Sequence, residues 1–112
     1  MQHGTLLKFY LQEKRKLHGL LAYEWLLEQA RAAGLPGGTV CRAIAGYGRQ
    51  GKLHENQFFE LAGDVPVEVS FVLANDQADD FLQRLRAAAV GLFYVRVPAD
   101  FGSTDDPPPP VR

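Results

Sequence analysis

Apolar residues recur at steps of three and four over residues 20–33, where Leu20, Tyr23, Leu27 and Ala30 line one face and Leu26 and Ala33 widen it. That period predicts an amphipathic helix. Gly34, followed by Leu35 and Pro36, supplies a left-handed cap and then a breaker. A second helix is predicted from a cap at Asn75 or Asp76 to about Val90, with Phe81, Leu82, Leu85, Ala88 and Ala89 inward. Asp79 and Asp80 suit its positive N-terminus, Arg84 and Arg86 lie further along, and Gly91 ends it. Elsewhere the pattern predicts strands at 5–11, 39–46, 65–75 and 92–98, with a short one at 58–61. The order β-α-β-(loop)-β-α-β predicts an α+β, ferredoxin-like βαββαβ sandwich over residues 1–101, with both helices on one face of a four-stranded antiparallel sheet. Residues 102–112, rich in proline and poor in anything to bury, are expected to form a flexible extended arm.

The strands raise a question about the other sheet face. Leu7, Phe9 and Leu11 alternate with Leu6, Lys8 and Tyr10, and Val67, Val69, Phe71 and Leu73 alternate with Glu68, Ser70 and Val72. In the second strand Cys41, Ala43 and Ala45 alternate with Val40, Arg42 and Ile44, and the latter set is assigned to the face away from the helices. A strand covered on one side only should be polar on the other. Here that face mixes Leu6, Tyr10, Val40, Ile44 and Val72 with Lys8, Arg42, Glu68 and Ser70. Left in water it would be a large apolar patch, which closed, cyclic self-association would cover. On that reading Lys8, Arg42 and Glu68 form an interface charge network.

Length and charge narrow the picture. The chain has 112 residues, room for one domain, and a formal charge of −1, so no global field favours nucleic acid or anionic lipid. Cys41 is the one cysteine, which excludes an internal disulfide and suggests a reducing compartment and a small buried residue. No apolar run approaches the ~20 residues of a membrane helix. At the start, charges follow a short apolar run, the reverse of a signal peptide, so a cytoplasmic protein is expected.

The candidate chemistry centres on "GYGRQGKLHEN", where Gly46, Gly48 and Gly51 spell G-x-G-x-x-G and Lys52 follows. A dinucleotide fingerprint needs a helix opening directly from the glycines, and "KLHENQFFEL" lacks a three-to-four period. No phosphate-loop pattern fits either. The glycines still permit close approach to the backbone, and Arg49 and Lys52 add two cations beside amides that can form an anion-binding concavity. The alternative is a solvated connection. Catalysis has no support: no Ser/His/Asp spacing is present, His3, His18 and His54 are scattered, and no cofactor is implied. His18 reads as solvated. His54 and Glu55 are adjacent, a poor spacing for a metal.

The segments "LLKFYL" near the start, "HGLLAYEWLLEQARAAGLPGGTVCRAIAGYGRQGKLH" over 18–54 and "ELAGDVPVEVSFV" over 60–72 resemble the PII-like superfamily. Within it the chain is most similar to the domain-of-unknown-function family 190, over most of residues 5–98. The most specific element is G-x-T-V-x-R-x-I-A-G-Y-G at 37–48. The resemblance implies a homotrimer with the mixed sheet face inward. It also implies a T-loop-like segment at 46–56 that touches a transporter or enzyme target, and a small effector bound between subunits at the loop base. That effector would be an adenine nucleotide or an anion such as bicarbonate. Carried over by position, Ala45, Gly46, Tyr47 and Gly48 lie at that cleft, Arg49 and Lys52 meet the anion, and Arg42 faces either the cleft or the interface network. The sequence departs from nucleotide-binding PII proteins at 87–92, "AAAVGL", which lacks their basic residue, and in an acidic stretch after the last strand. These departures favour a small anion or a nucleotide with fewer phosphates over ATP. Two alternatives stand beside this reading, a metal-binding trimer like the CutA-type relatives and a ligand-free scaffold.

Overall fold

A computed structural model describes residues 1–47 and 64–108. Its main sheet contains β1 (Gln2–Gln12), β4 (Thr39–Arg42), β5 (Pro66–Ala74) and β6 (Phe93–Phe101) in the antiparallel order β4-β5-β1-β6. A two-stranded hairpin, β2 (Lys16–Leu17) and β3 (Leu20–Leu21), precedes α1 (Ala22–Ala32), and α2 (Asn75–Ala87) joins β5 to β6. This is the expected ferredoxin-like α+β arrangement. The predicted strand at 58–61 lies outside the described residues.

Period-two burial explains the sheet. Leu7, Phe9 and Leu11 of β1 and Val67, Val69, Phe71 and Leu73 of β5 are buried with Trp25 and Leu26 of α1 and Phe81 and Leu85 of α2 in one cluster. Both helices therefore cover the same face. At its centre Phe9 meets Phe71 and Phe81 edge-on, with ring centroids 6.1 and 6.0 Å apart, and Phe71 and Phe81 lie 5.4 Å apart. Such pairs add about 0.5–1.5 kcal/mol each beyond their area. Gly4 has no alternative in β1, since a Cβ there would stand 2.2 Å from the Leu73 carbonyl oxygen.

Several boundaries differ from expectation. α1 starts at Ala22, not Leu20, because Leu20 and Leu21 pair with Leu17 and Lys16 across a turn at His18 and Gly19. Both turn residues have positive φ, 51° and 82°, as a primed two-residue hairpin turn requires. The buried stripe of α1 is Ala22, Trp25, Leu26 and Ala30, rotated from the expected one, and Ala33 is exposed. Its end is as expected: with Gly34 at φ 77°, Gly34 N–H bonds Arg31 O and Leu35 N–H bonds Ala30 O, the paired bonds of a Schellman cap.

α2 ends at Ala87 rather than near Val90. Ala89, not Gly91, takes the left-handed conformation, at φ 57°, and Ala88 and Ala89 are exposed rather than inward. Neither Asn75 nor Asp76 is the cap: Ala74 is, and its N–H is satisfied by Gln77 Oε1 at 2.9 Å. β6 runs to Phe101, longer than predicted, because its partner β1 begins at Gln2. Beyond it, Ser103 N–H bonds Asp106 Oδ2 and Asp106 N–H bonds Ser103 O, so the tail opens with a closed turn.

The face of β4 is a correction of substance. Thr39 and Cys41 register with Ser70 and Glu68, whereas Val40 and Arg42 register with the buried Val69 and Val67. Thr39 and Cys41 therefore share the open face, and Val40 packs against the core. Cys41 is exposed, not buried.

Candidate functional site

Both stems of the glycine loop are fastened to the end of β1. On the entering side, Arg42 Nε donates to Glu13 Oε2 at 2.7 Å, and Ala43 N–H bonds Pro66 O at 2.9 Å, one residue past β4. On the returning side, Glu13 N–H bonds Val65 O at 2.9 Å and Lys14 N–H bonds Asp64 Oδ1 at 3.0 Å. Glu13 thus holds one stem through its side chain and the other through its backbone. Nothing in the sequence singles it out, since a lone glutamate in a run of charges carries no pattern.

Between these anchors Ala45, Gly46 and Tyr47 are contiguous and exposed, and Ile44 is 92% exposed. Gly46 lies against Pro66, where a Cβ would stand 3.2 Å from Pro66 Cγ. Of the sequence-predicted site residues, Ala45, Gly46 and Tyr47 are consecutive and exposed beyond β4, and the Arg42 side chain is held by Glu13. Gly48, Arg49 and Lys52 lie outside the described residues, as do His54 and Glu55. Arg42 does not join Lys8 and Glu68: its charge is paired with Glu13 on the helix side of β4, while Lys8 Nζ and Glu68 Oε1 approach to 3.7 Å on the open face.

Pro66, against which Gly46 lies, pairs with Gln12 of β1. Gln12 Oε1 is buried and, among the described residues, is the one buried side-chain polar atom without a hydrogen-bond partner. Such an acceptor costs about 1–3 kcal/mol while it stays unsatisfied. Arg15 follows in the same turn, its N–H bonded to Gln12 O. Its guanidinium reaches across to the segment before β6, where Nη2 donates to Gly91 O at 2.9 Å. The segment 87–92 that lacks a cation of its own therefore has one beside it.

The open sheet face continues from this corner. Tyr10, Val72, Phe93 and Val97 are large apolar residues left exposed there, with the Tyr10 and Phe93 rings 5.8 Å apart. A mixed face with its own ion pair is what the alternation in β1 and β5 predicts, with Thr39 and Cys41 in place of Val40 and Arg42.

At the opposite end of the sheet a cleft of about 450 Å³ opens between the start of β1, the start of α2 and the end of β6. Its polar groups satisfy one another. Thr5 Oγ1 donates to Asn75 Oδ1 at 2.6 Å, Arg96 donates to Asp79 Oδ1 at 2.7 Å, and His3 pairs with Asp100. No sequence pattern points to this cleft, which topology alone assembles. Among the described residues no three His, Cys, Asp or Glu side chains gather as a metal site, and no helix is long and apolar enough to cross a membrane.

Known proteins share this fold. Among solved structures, CPII, a nitrogen regulatory PII-like protein from Thiomonas intermedia K12 bound to ADP, AMP and bicarbonate, aligns over 90% of this chain and 94% of its own, at 14% identity and a TM-score of 0.60. A PII-like signalling protein from Thermus thermophilus aligns over 88% of this chain and 93% of its own, at 18% identity and a TM-score of 0.53. At these identities the likeness is one of fold. Sequence relatives are nearer: a UPF0166 protein of Aquifex aeolicus is 34% identical over 78% of this chain and 83% of its own length. Another, from Methanocaldococcus jannaschii, is 32% identical over 76% of this chain and 78% of its own. Residues 4–96 match the family described as "DUF190: Uncharacterized ACR, COG1993". With the PII-like fold in the structure and these relatives in the sequence, the chain belongs to the DUF190 family.

Proposed function

We propose that this protein is a non-catalytic PII-like regulator. It binds a small effector, an adenine nucleotide or an anion such as bicarbonate, in clefts between the subunits of a homotrimer. The effector sets the state of the loop at 46–56, which engages or leaves a partner, a membrane transporter or an enzyme. The observation that carries this reading is that a protein of the same fold, aligned over nearly the whole chain, holds ADP, AMP and bicarbonate.

Two features support it. The loop stems are bound to β1 through Glu13 and Lys14, so a ligand at the base acts where loop and sheet are joined. The open sheet face carries apolar surface of the kind that closed self-association covers. In this account Arg42 positions the base, and Gly48, Arg49 and Lys52 complete the contact with the effector.

Calorimetric titration with AMP, ADP and ATP, with and without bicarbonate, tests the reading. AMP or ADP is expected to bind in the micromolar range and more tightly than ATP. A flat trace for all three at millimolar concentration contradicts it and favours the scaffold. Heat on adding zinc or copper instead would favour the metal-binding trimer.

A further inference from the structure

Gln12 and Arg15 belong to neither the glycine loop nor the residues that suggested it; Gln12 pairs with Pro66, against which Gly46 lies, and Arg15 closes the same turn and reaches the segment before β6. Gln12 is buried at Oε1 without a donor, beside Pro66, whose ring also touches Gly46. By alternation Gln12 faces the same side of the sheet as Tyr10, the side left open. Arg15 is fixed at the same turn, its N–H on Gln12 O and its own carbonyl accepting from Ala22 N–H at 2.7 Å. Its guanidinium rests on a neutral carbonyl, that of Gly91, so its charge stays uncompensated by that contact.

We infer that the turn from Gln12 to Arg15 is the second wall of the effector site, in which Arg15 meets the ligand's anionic group and Gln12 accepts a hydrogen bond from a donor on the ligand. This deepens the proposed function and rests on it. A buried acceptor with no donor is the more stable for turning out to one, so a ligand that brings an N–H or O–H is favoured over one that does not. A guanidinium carries five donors, and the contact with Gly91 uses one, leaving others for an anion. A nucleoside monophosphate supplies both groups, whereas inorganic phosphate chiefly supplies the charge. The wall therefore distinguishes between ligands that share an anionic end.

The test is calorimetric titration of the full chain and two variants, Gln12→Met and Arg15→Gln, with AMP and separately with inorganic phosphate. Gln12→Met replaces the orphaned acceptor by an apolar chain of similar shape and should melt at or above the wild-type temperature. Its affinity for AMP should fall about tenfold, which is ~1.4 kcal/mol, while phosphate binding stays unchanged. Arg15→Gln should weaken AMP and phosphate alike, and carries the test should Gln12→Met fail to fold. If both folded variants bind AMP as the wild type does, the turn is no wall and the inference is overturned, although the PII-like reading survives. A change of oligomeric state in Gln12→Met with AMP affinity intact would assign the acceptor to a neighbouring copy, and overturns it too. A wild type that binds no AMP overturns both.

Discussion

Ala89 holds a φ of 57° at the end of α2 with no glycine there to accept it. The left-handed region costs an L-residue about 1–2 kcal/mol, partly offset in the unfolded state by the greater freedom of glycine. Ala89→Gly should therefore raise stability by about 1 kcal/mol in a denaturant melt, since its side chain is exposed and contributes little packing. A lower midpoint would show that the Cβ makes a contact worth more than the strain. Glu13 acts differently, through position. Its ion pair with Arg42 is partly exposed and should contribute less than about 1 kcal/mol to global stability. Glu13→Gln is expected to leave the melting curve close to wild type. It should speed amide exchange at Ala43, whose N–H ties the entering stem to Pro66 of β5 just beyond the end of β4. Unchanged exchange there would remove Glu13 from the account of the loop base.

The elements differ in how readily the chain reveals them. β1 and β5 are legible because their alternation puts a run of large apolar residues on one side, and a one-residue slip would expose all of them. α1 and α2 are legible in kind and approximate place, and the Gly34 cap in detail. β4 is not legible in phase, because Val40, Cys41, Ala43 and Ile44 offer apolar residues to both faces and only pairing with β5 decides. The β2–β3 hairpin is hidden because strands of two residues have no period to read, and His18-Gly19 is an unusual pair for its turn. Of the candidate site, the expected strand to Gly46 stops at Arg42, so the chain leaves the sheet before the glycines that mark the loop. The loop's fastening is not legible, because Glu13 and Lys14 reach the stems through contacts with Arg42, Val65 and Asp64, far along the chain. Where the pattern is clear the energetics should be large. Phe81→Ala removes the ring of α2 that meets both Phe9 and Phe71, and should cost about 3–5 kcal/mol. A loss below about 1 kcal/mol, measured by chemical denaturation, would mean that the aromatic cluster is not the centre of the core.

At the scale of the whole molecule, the sheet is covered by two helices on one side and open on the other, where Tyr10, Val72, Phe93 and Val97 remain exposed. A second copy of the chain is the proposed cover, and the effector cleft would then be built from two subunits. Val72→Asp is the sharp test of that surface. Val72 is 44% exposed, so the monomer should still fold, at a cost of about 1 kcal/mol for placing Asp in a strand. A carboxylate buried in the interface should break the assembly, read as a drop in mass by light scattering. An assembly that survives the substitution would place the interface elsewhere.

Native mass spectrometry of the full chain, with AMP and bicarbonate added, tests the central claim most directly because it reads assembly and effector together. A trimer that takes up as many as three AMP molecules, one for each cleft, is expected. A monomer, or a trimer that carries no AMP at millimolar ligand, would contradict it.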